Sequence, residues 1–282
     1  MRENKYSNDY DLLDSGFGRK LERFGKIILD RPCAQAIWSP LNSHLWKDAH
    51  AKFERTPKLK WVIYKKIPES WTIKISDIKV KLAITDFGHI GFFPETISTI
   101  NWISSNIGNY KSLKFLNLFA YSGCATVSAA KNGAKCCHLD SSKGIVEWAK
   151  DNAQINDIHN TSIRWIVDDV IKFLKREVKR NNQYDAVLLD PPSFGRGSRG
   201  ELFKIEDKML QTLELVSLVM SKKPNFVILT SHTPGFSPLI LENLLKQFFK
   251  NGIFSSGEMF LSSSNTNNFN LPNGNWARWI YE

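Results

Sequence analysis

The chain has 282 residues, and 42% of them are hydrophobic, which is enough for a buried core and excludes a disordered protein. Its formal net charge of +10 favours an anionic partner, of which nucleic acid is the simplest. No apolar run approaches the roughly 18–20 residues of a membrane span. The polar first residues form no secretory signal, and the four cysteines suggest neither a disulfide framework nor a metal site. We therefore expect a cytoplasmic protein with no membrane contact and no bound metal.

The first 90 residues predict a small β-rich module. Short apolar runs with partial alternation lie at residues 26–29, 60–64, 71–75 and 79–84. This pattern is typical of antiparallel strands. Lys74, Lys79 and Lys81 occupy alternate positions, which suits either protection of an edge strand or contact with substrate. Isoleucines at helical spacing between residues 95 and 107 predict a helix that leads into a second domain, expected at residues 91–282.

Strand and helix patterns alternate through the rest of the chain. Apolar runs predict strands at residues 114–118, 134–139, 163–167, 184–189 and 225–230. Helices are predicted at residues 122–132, 146–155, 170–179, 208–220 and 238–250. This rhythm indicates right-handed βαβ units and a parallel sheet. Two later apolar runs, at residues 254–261 and 276–281, can add strands to it.

Two segments of biased composition predict loops over the carboxyl edge of that sheet. Residues 195–200 are basic and glycine-rich, and residues 262–275 are rich in serine and asparagine. Arg196 and Arg199 in the first segment suit either phosphate binding or a solvated loop. Trp276 and Trp279 suit either core packing or the border of a pocket.

The turn that follows the first strand of the second domain has polar residues suited to a ligand. Gly123 permits close backbone approach, and Ser122 suits the N-cap of a helix. Asp140 ends the second strand, 17 residues after Gly123. In dinucleotide-binding folds, an acid at about this distance accepts hydrogen bonds from ribose hydroxyls.

Acidic residues also end the third and fourth strands. Asp168 and Asp169 follow the third strand, where a carboxylate can meet an adenine amine. Asp190 follows the fourth, and Pro191 and Pro192 end that strand because neither can donate to a ladder. Any one of these acids suits a helix cap as well as a ligand contact. A series of polar turns at the carboxyl ends of neighbouring strands predicts a ligand site.

Together these motifs resemble the bacterial class I methyltransferases that modify 23S ribosomal RNA, and their small relatives. The likeness covers residues 85–282 and is carried by the segments 117–123, 140–142, 169–174 and 190–194. It implies a Rossmann-like α/β fold with a seven-stranded doubly wound sheet behind the N-terminal module. It also implies S-adenosyl-L-methionine as cofactor and RNA as partner.

The resemblance assigns roles to particular residues. The cofactor-binding residues it implies are Asn117, Phe119, Tyr121, Ser122, Gly123, Asp140, Ser142, Asp168 and Asp169. Turn residues 119–123 would line the methionine end, Asp140 would hold the ribose, and Asp168 or Asp169 would meet the adenine. The catalytic residues it implies are Asp190, Pro191, Pro192 and Phe194, with Asp190 facing the reacting methyl group.

Two departures from the family pattern bear on which atom receives the methyl group and on how the substrate is held. Members that methylate cytosine at C5 need a nucleophilic cysteine near or beyond the Asp-Pro-Pro turn, whereas no cysteine follows Cys137. We therefore expect transfer to nitrogen or oxygen in one in-line displacement, for which positioning supplies most of the rate. Ser193 stands directly after the prolines and Phe194 one place later, which leaves stacking of Phe194 on a base open. His232, after the fifth strand, suits either proton transfer or a loop role.

Three functions remain open at this point. The leading one is methylation of RNA, with ribosomal RNA as the expected substrate. The second is methylation of a protein side chain or a small molecule. The third is a non-catalytic RNA-binding relative, against which the intact polar and acidic turns argue. The sequence makes no prediction of oligomeric state.

Overall fold

The computed structural model describes residues 9–56, 58–108, 112–158, 162–196, 200 and 202–282. The chain divides into two compact units. The first comprises the residues up to Ser98 together with Phe260–Asn273, and the second comprises Thr99–Met259 and Gly274–Glu282. The domain boundary expected between residues 90 and 91 stays a prediction, and the compact units divide eight residues further along the chain.

The first unit is built on a five-stranded sheet. Its strands, in spatial order, are β1 (Tyr10–Gly16), β2 (Arg19–Phe24), β3 (Ile27–Pro32), β4 (Ala51–Glu54) and β5 (Lys60–Ile63). Neighbours are antiparallel except for β3 and β4, which are parallel. Strands β6 (Trp71–Ile75) and β7 (Ile78–Leu82) form a separate antiparallel hairpin. The expected β-rich module is confirmed, but β1, β2 and β4 were not predicted.

A charged cluster lies in the interior of this unit, centred on Glu22. The Glu22 carboxylate is fully buried and accepts hydrogen bonds from Arg31 Nε at 2.9 Å and from Tyr10 Oη at 3.1 Å. Arg31 Nη2 lies at 2.7 Å and Lys20 Nζ at 3.3 Å. Burial by itself opposes the charged form, but Arg31 and Lys20 lower the pKa of Glu22 below its ordinary value. Because Lys20 and Glu22 point inward from β2, this strand lacks the alternation of apolar and polar residues from which strands are predicted.

Replacing Glu22 by glutamine should lower the free energy of unfolding by about 3–5 kcal/mol, because Arg31 and Lys20 would remain buried without their counter-charge. Glu54→Gln is the matched control, since Glu54 pairs with Lys52 at 2.8 Å in a more exposed position. Its expected cost is below about 1 kcal/mol. Urea denaturation of the whole chain measures both changes. A loss from Glu22→Gln no larger than that of the control would contradict the buried-pair account.

The second architectural element is a seven-stranded sheet. Its strands are β8 (Lys114–Leu118), β9 (Lys135–Asp140), β10 (Ile163–Val167), β11 (Ala186–Leu189), β14 (Phe226–Ser231), β15 (Gly252–Leu261) and β16 (Leu271–Tyr281). The spatial order is β10-β9-β8-β11-β14-β16-β15. The first five in that order are parallel, and β16 is antiparallel to β14. Two short strands, β12 (Phe194–Arg196) and β13 (Leu202–Lys204), form an antiparallel ribbon.

Helices cover both faces of this sheet. They are α1 (Ile97–Ile107), α2 (Cys124–Lys131), α3 (Lys143–Gln154), α4 (Val170–Lys179), α5 (Ile205–Val219) and α6 (Pro238–Phe248). On one face, α4, α5 and α6 bury a cluster that includes Leu116, Val187 and Leu229. On the other face, Trp102 of α1 packs edge-on against Phe226 with ring centroids 5.0 Å apart. This confirms the predicted doubly wound α/β fold.

The two loops predicted from biased composition are shorter in the structure than expected. The predicted loop at residues 262–275 is wrong for its last five residues, which belong to β16. Gly195 and Arg196, placed in the basic loop, belong to β12, while Arg199 lies outside the described residues. No helix within the described ranges combines the length and the apolar content that a bilayer-crossing segment requires.

Candidate cofactor and substrate site

The carboxyl ends of β8, β9, β10, β11 and β14 meet at one edge of the sheet, because these strands are parallel. Strand β8 lies between β9 and β11. The chain therefore adds strands to one side of β8 first and to the other side later. In open α/β sheets ligands bind at such a point of reversal. The predicted site residues other than Asn117 lie in or next to the turns at this edge.

The turn after β8 has an unusual backbone. Phe119, Tyr121 and Gly123 have φ angles of 57°, 49° and 79°, all in the left-handed region. For residues other than glycine this costs about 1–3 kcal/mol each. The turn is held by hydrogen bonds from Gly123 N to Ala120 O at 3.0 Å and from Ala120 N to Leu139 O at 3.0 Å. Backbone strain of this kind clusters at ligand-binding turns.

Substitution of Gly123 by alanine should lower both the melting temperature and the affinity for cofactor. A Cβ atom at this position would lie 2.9 Å from Ala149 Cβ, so the turn and α3 would have to move apart. Gly133→Ala is the matched control, since Gly133 also has a left-handed φ of 94° but a Cβ there would meet nothing within 4 Å. Melting temperatures measured with and without S-adenosylhomocysteine report the loss of stability and the loss of cofactor affinity separately for each variant. Equal effects from both substitutions would show that close packing at Gly123 is unimportant.

Buried polar side chains support this turn from inside the fold. Asn117 Nδ2 donates to Thr126 Oγ1 at 2.9 Å, and Thr126 Oγ1 lies 3.0 Å from His138 Nδ1. Burial lowers the pKa of His138 to about 3, so this imidazole is neutral. Asn152 Nδ2 donates to the Ser122 carbonyl at 2.8 Å. Asn117 and Ser122 are only 2% and 1% exposed, so their side chains do not reach the outer surface of the turn.

Asp140 joins the turn after β8 to the turn after β9. Its Oδ2 accepts from Tyr121 N at 3.0 Å, and its Oδ1 accepts from Ser142 N at 2.9 Å. Burial raises the pKa of Asp140, while the backbone N–H groups act in the opposite direction. The Ser141 backbone also hydrogen-bonds this carboxylate, so three of its roughly four acceptor positions are used and about one is left for a ligand. Ser142 caps α3 by accepting from Ile145 N at 3.4 Å.

The two acids after β10 have different surroundings. Asp169 caps α4 by accepting from Lys172 N at 2.9 Å. Asp168 forms an ion pair with Arg176, and its Oδ1 accepts from Asp169 N at 2.9 Å. Asp168 N donates to Asp140 O at 3.1 Å, which places the two strand ends side by side. Asp168 is therefore the acid more closely linked to Asp140, whereas Asp169 serves the helix.

Asp190 is held at the end of β11 by its neighbours on both sides. Its backbone N donates to Leu118 O at 3.3 Å, next to the turn after β8. Thr230 Oγ1, at the end of β14, donates to Asp190 Oδ1 at 2.6 Å. His232 Nε2 lies 3.8 Å from the same oxygen. The Asp190 side chain is 25% exposed, so it is fixed in direction yet open to a ligand.

The proline turn leads into a ribbon that folds beside the turn after β8. Pro191 is buried, while Pro192 and Ser193 are exposed, and Ser193 Oγ bonds Thr233 Oγ1 at 2.8 Å. Phe194 is 56% exposed at the start of β12. In the partner strand β13, Phe203 packs against Phe119 with ring centroids 4.9 Å apart. The structure thus leaves the Phe194 ring accessible, and its stacking on a base stays a prediction.

Three residues that shape this site were not singled out from the sequence. They are Thr230, Phe203 and Asn152. Thr230 stands two places before His232, at a strand end, which is a visible signal for a polar contact. Phe203 and Asn152 gave no local signal, because each acts through a neighbour that is distant in the chain.

The cysteines are inert in this structure. All four are free thiols and buried. Burial raises the pKa of Cys124 to about 12 and that of Cys137 to about 11, and it also raises the pKa of Cys136. Because the thiolate is the nucleophilic form, none of these three is suited to covalent catalysis. Within the described ranges, no three His, Cys, Asp or Glu side chains gather as a metal site would need.

Curated relatives support the resemblance found in the motifs. The chain is 33% identical over 160 residues to the ribosomal RNA large subunit methyltransferase K/L of Pseudoalteromonas translucida, a match covering 56% of this chain and 22% of that protein. It is 35% identical over 137 residues to the protein of the same name from Vibrio cholerae, covering 47% and 18%. The chain thus spans about a fifth of the length of these relatives.

Solved structures share the fold. A SAM-dependent methyltransferase from Agrobacterium tumefaciens superposes with a TM-score of 0.93 at 32% identity, covering 98% of this chain and 91% of that one. The methyltransferase SMU.776 in complex with SAH superposes with a TM-score of 0.75 at 16% identity, covering 96% and 75%, which shows the fold alone. The family model for S-adenosylmethionine-dependent methyltransferases matches residues 19–222. The chain therefore belongs to the S-adenosylmethionine-dependent methyltransferases.

Proposed function

We propose that this enzyme methylates ribosomal RNA at a nitrogen or oxygen atom. The observation that carries the proposal is the Asp190 carboxylate, fixed by Thr230 at 2.6 Å and partly exposed beside the turn after β8. The net charge of +10 favours an RNA substrate. The curated relatives are named as ribosomal RNA methyltransferases, which supports the same class of acceptor.

The residues at the carboxyl edge fit S-adenosyl-L-methionine as cofactor. With three backbone N–H groups bonded to it, the Asp140 carboxylate has about one acceptor position left, which suits a ribose hydroxyl. Acidic side chains at neighbouring strand ends suit a ligand that contains a sulfonium and an amino group. We propose that Asp168 rather than Asp169 meets the adenine, because the Asp168 backbone N donates to Asp140 O at 3.1 Å and so places Asp168 next to the expected ribose contact. When bound, the cofactor supplies an electrophilic methyl group.

The protein's own part in the reaction is positioning and acceptance of a proton. Asp190 would accept a hydrogen bond from the amine or hydroxyl that receives the methyl group, and a proton where one must leave. Pro191 and Pro192 hold the backbone of that turn with fixed φ angles. Thr230 holds the Asp190 carboxylate in place through a hydrogen bond to Oδ1. A single direct transfer needs no thiol nucleophile, which agrees with the raised thiol pKa values.

The test is transfer of a labelled methyl group into total RNA and protein from cells lacking this gene. The proposal expects label that survives protease and is removed by ribonuclease, concentrated in large-subunit ribosomal RNA. Nucleoside mass spectrometry then names the methylated atom. Asp190→Asn protein at the same concentration is the matched control for unspecific labelling.

Other outcomes would replace the proposal. Label in protein, or in neither polymer despite cofactor binding, would identify a protein side chain or a small molecule as acceptor. Loss of cofactor binding altogether would leave a non-catalytic relative. With ribosomal RNA as substrate and all cysteines as free thiols, we also propose that the protein works in the cytoplasm.

A further inference from the structure

A cavity of about 230 Å³ opens at the amino ends of the parallel strands, opposite the edge with Asp140 and Asp190. Its lining includes Lys114, Lys135, Arg164 and Tyr184. Strand β8 runs between the two edges. At about 3.3 Å per residue, its five residues separate the cavity from the turn after β8 by roughly 16 Å. The cavity and the cofactor site are therefore distinct places on one sheet.

Two lysines on this rim lie side by side. Lys114 begins β8, Lys135 begins β9, and the two are direct partners in the parallel ladder. Like charges on neighbouring side chains repel each other. Neither lysine has an ion pair among the residues that the structure describes. An anion in the cavity would remove this repulsion.

The other charges of the cavity do not neutralise these lysines. The buried Glu177 carboxylate accepts hydrogen bonds from Arg164 at 2.7 Å and 3.1 Å and from the Tyr184 hydroxyl at 2.6 Å. Arg180 Nη1 lies 3.7 Å from Glu177 as well. Asp185 accepts from the backbone N of Lys114 at 2.9 Å. Four cationic side chains (Lys114, Lys135, Arg164 and Arg180) thus lie near only two carboxylates, those of Glu177 and Asp185.

The cavity is small and also has neutral lining residues. Asn182, Gln183 and the buried Cys136 and Cys137 also line the cavity, and Asn182 Nδ2 donates to Glu177 Oε2 at 3.0 Å. About 230 Å³ is below the usual range of pockets for drug-sized ligands, about 300–1,000 Å³. A phosphate group with part of its sugar matches both the volume and the charge.

We propose that this cavity binds a backbone phosphate of the RNA substrate, with Lys114 and Lys135 as the contacting cations. The RNA assignment rests on the proposed function, whereas the phosphate chemistry rests on the cavity itself. A phosphate contact at this edge would hold the RNA without reading its sequence, while the opposite edge carries out the reaction. On this proposal, Lys114 and Lys135 are two of the basic residues through which the net charge of +10 favours RNA binding.

The test compares Lys114→Gln/Lys135→Gln with the wild type in binding a fluorescein-labelled single-stranded RNA at several salt concentrations. Because both lysines contact the same phosphate, loss of that contact should reduce the slope of log affinity against log salt by about 0.7. Lys175→Gln/Lys250→Gln removes the same charge from exposed lysines outside the cavity and should leave the slope nearly unchanged. Lys114→Arg/Lys135→Arg keeps the charge and should keep the slope.

Titration with inorganic phosphate alone separates the sources of the anion. Phosphate binding lost in the Lys114→Gln/Lys135→Gln protein, together with the reduced RNA slope, supports the proposal. Phosphate binding lost with an unchanged RNA slope would overturn the RNA assignment in favour of a small phosphorylated ligand. Equal effects from both glutamine pairs would overturn the site. A wild type that binds phosphate but neither binds nor methylates RNA would end the proposed function and leave the anion site standing.

Discussion

Asp190→Asn is expected to lower kcat for methyl transfer about 10³-fold, within the range usual for loss of a general acid–base group. Asparagine keeps the size of the side chain and can still accept from Thr230, which donates to Asp190 Oδ1 at 2.6 Å. It cannot take a proton, and its amide group would point a donor at the acceptor amine or hydroxyl. The affinity for cofactor should change little, because Asp190 is not among the residues expected to hold it. Single-turnover transfer and calorimetry measure the two quantities separately.

Two further variants define what the Asp190 result means. Glu258→Gln removes an exposed carboxylate from β15 and should leave kcat unchanged. Thr230→Val removes the hydroxyl that aims the carboxylate, at an expected cost of about 1 kcal/mol, or up to tenfold in kcat. An Asp190→Asn protein with full activity would remove the Asp-Pro-Pro turn from the mechanism. A Thr230→Val protein as inactive as Asp190→Asn would show that orientation, not proton acceptance, dominates.

The doubly wound half of the chain could be predicted because its strands are buried on both faces. Strand Ile163–Val167 and helix Val170–Lys179 have the bounds that the apolar pattern predicts. The Asp-Pro-Pro turn and the acids at the strand ends are signals that a local reading can find. Their consequences follow from topology, since parallel strands bring their carboxyl ends to one edge.

The N-terminal unit could not be predicted in the same way. Strands β2 and β3 place Lys20, Glu22 and Arg31 in the interior, where mutual pairing satisfies them. A reading based on hydrophobic alternation treats such residues as exposed. Contacts between distant segments were equally hidden, such as Thr230 with Asp190, because no local pattern records which strand lies beside which.

The Asp140 carboxylate is the second residue on which activity should depend strongly. Asp140→Asn should weaken binding of S-adenosylhomocysteine about 100-fold, since a hydrogen bond to a charged group contributes about 1.5–3 kcal/mol. The wild-type affinity should also fall as the pH drops. Burial raises the pKa of Asp140, so this carboxylate loses its charge and part of its acceptor capacity at a higher pH than an ordinary aspartate, whose pKa is about 3.9. The variant should lack this part of the pH dependence, which calorimetry at a series of pH values records.

Weaker binding alone would not separate ribose recognition from damage to the turn, because Asp140 also accepts from Tyr121 N and Ser142 N. An analogue of S-adenosylhomocysteine without the ribose 2′-hydroxyl makes the distinction. If Asp140 binds that hydroxyl, the wild type should prefer the complete ligand strongly, and the Asp140→Asn protein should bind both ligands with similar affinity. A variant that keeps the full preference would place the hydroxyl elsewhere and reduce Asp140 to a support for the turn. The two ligands differ by one hydroxyl, so the ratio of their affinities reports on that contact and cancels any general loosening of the site.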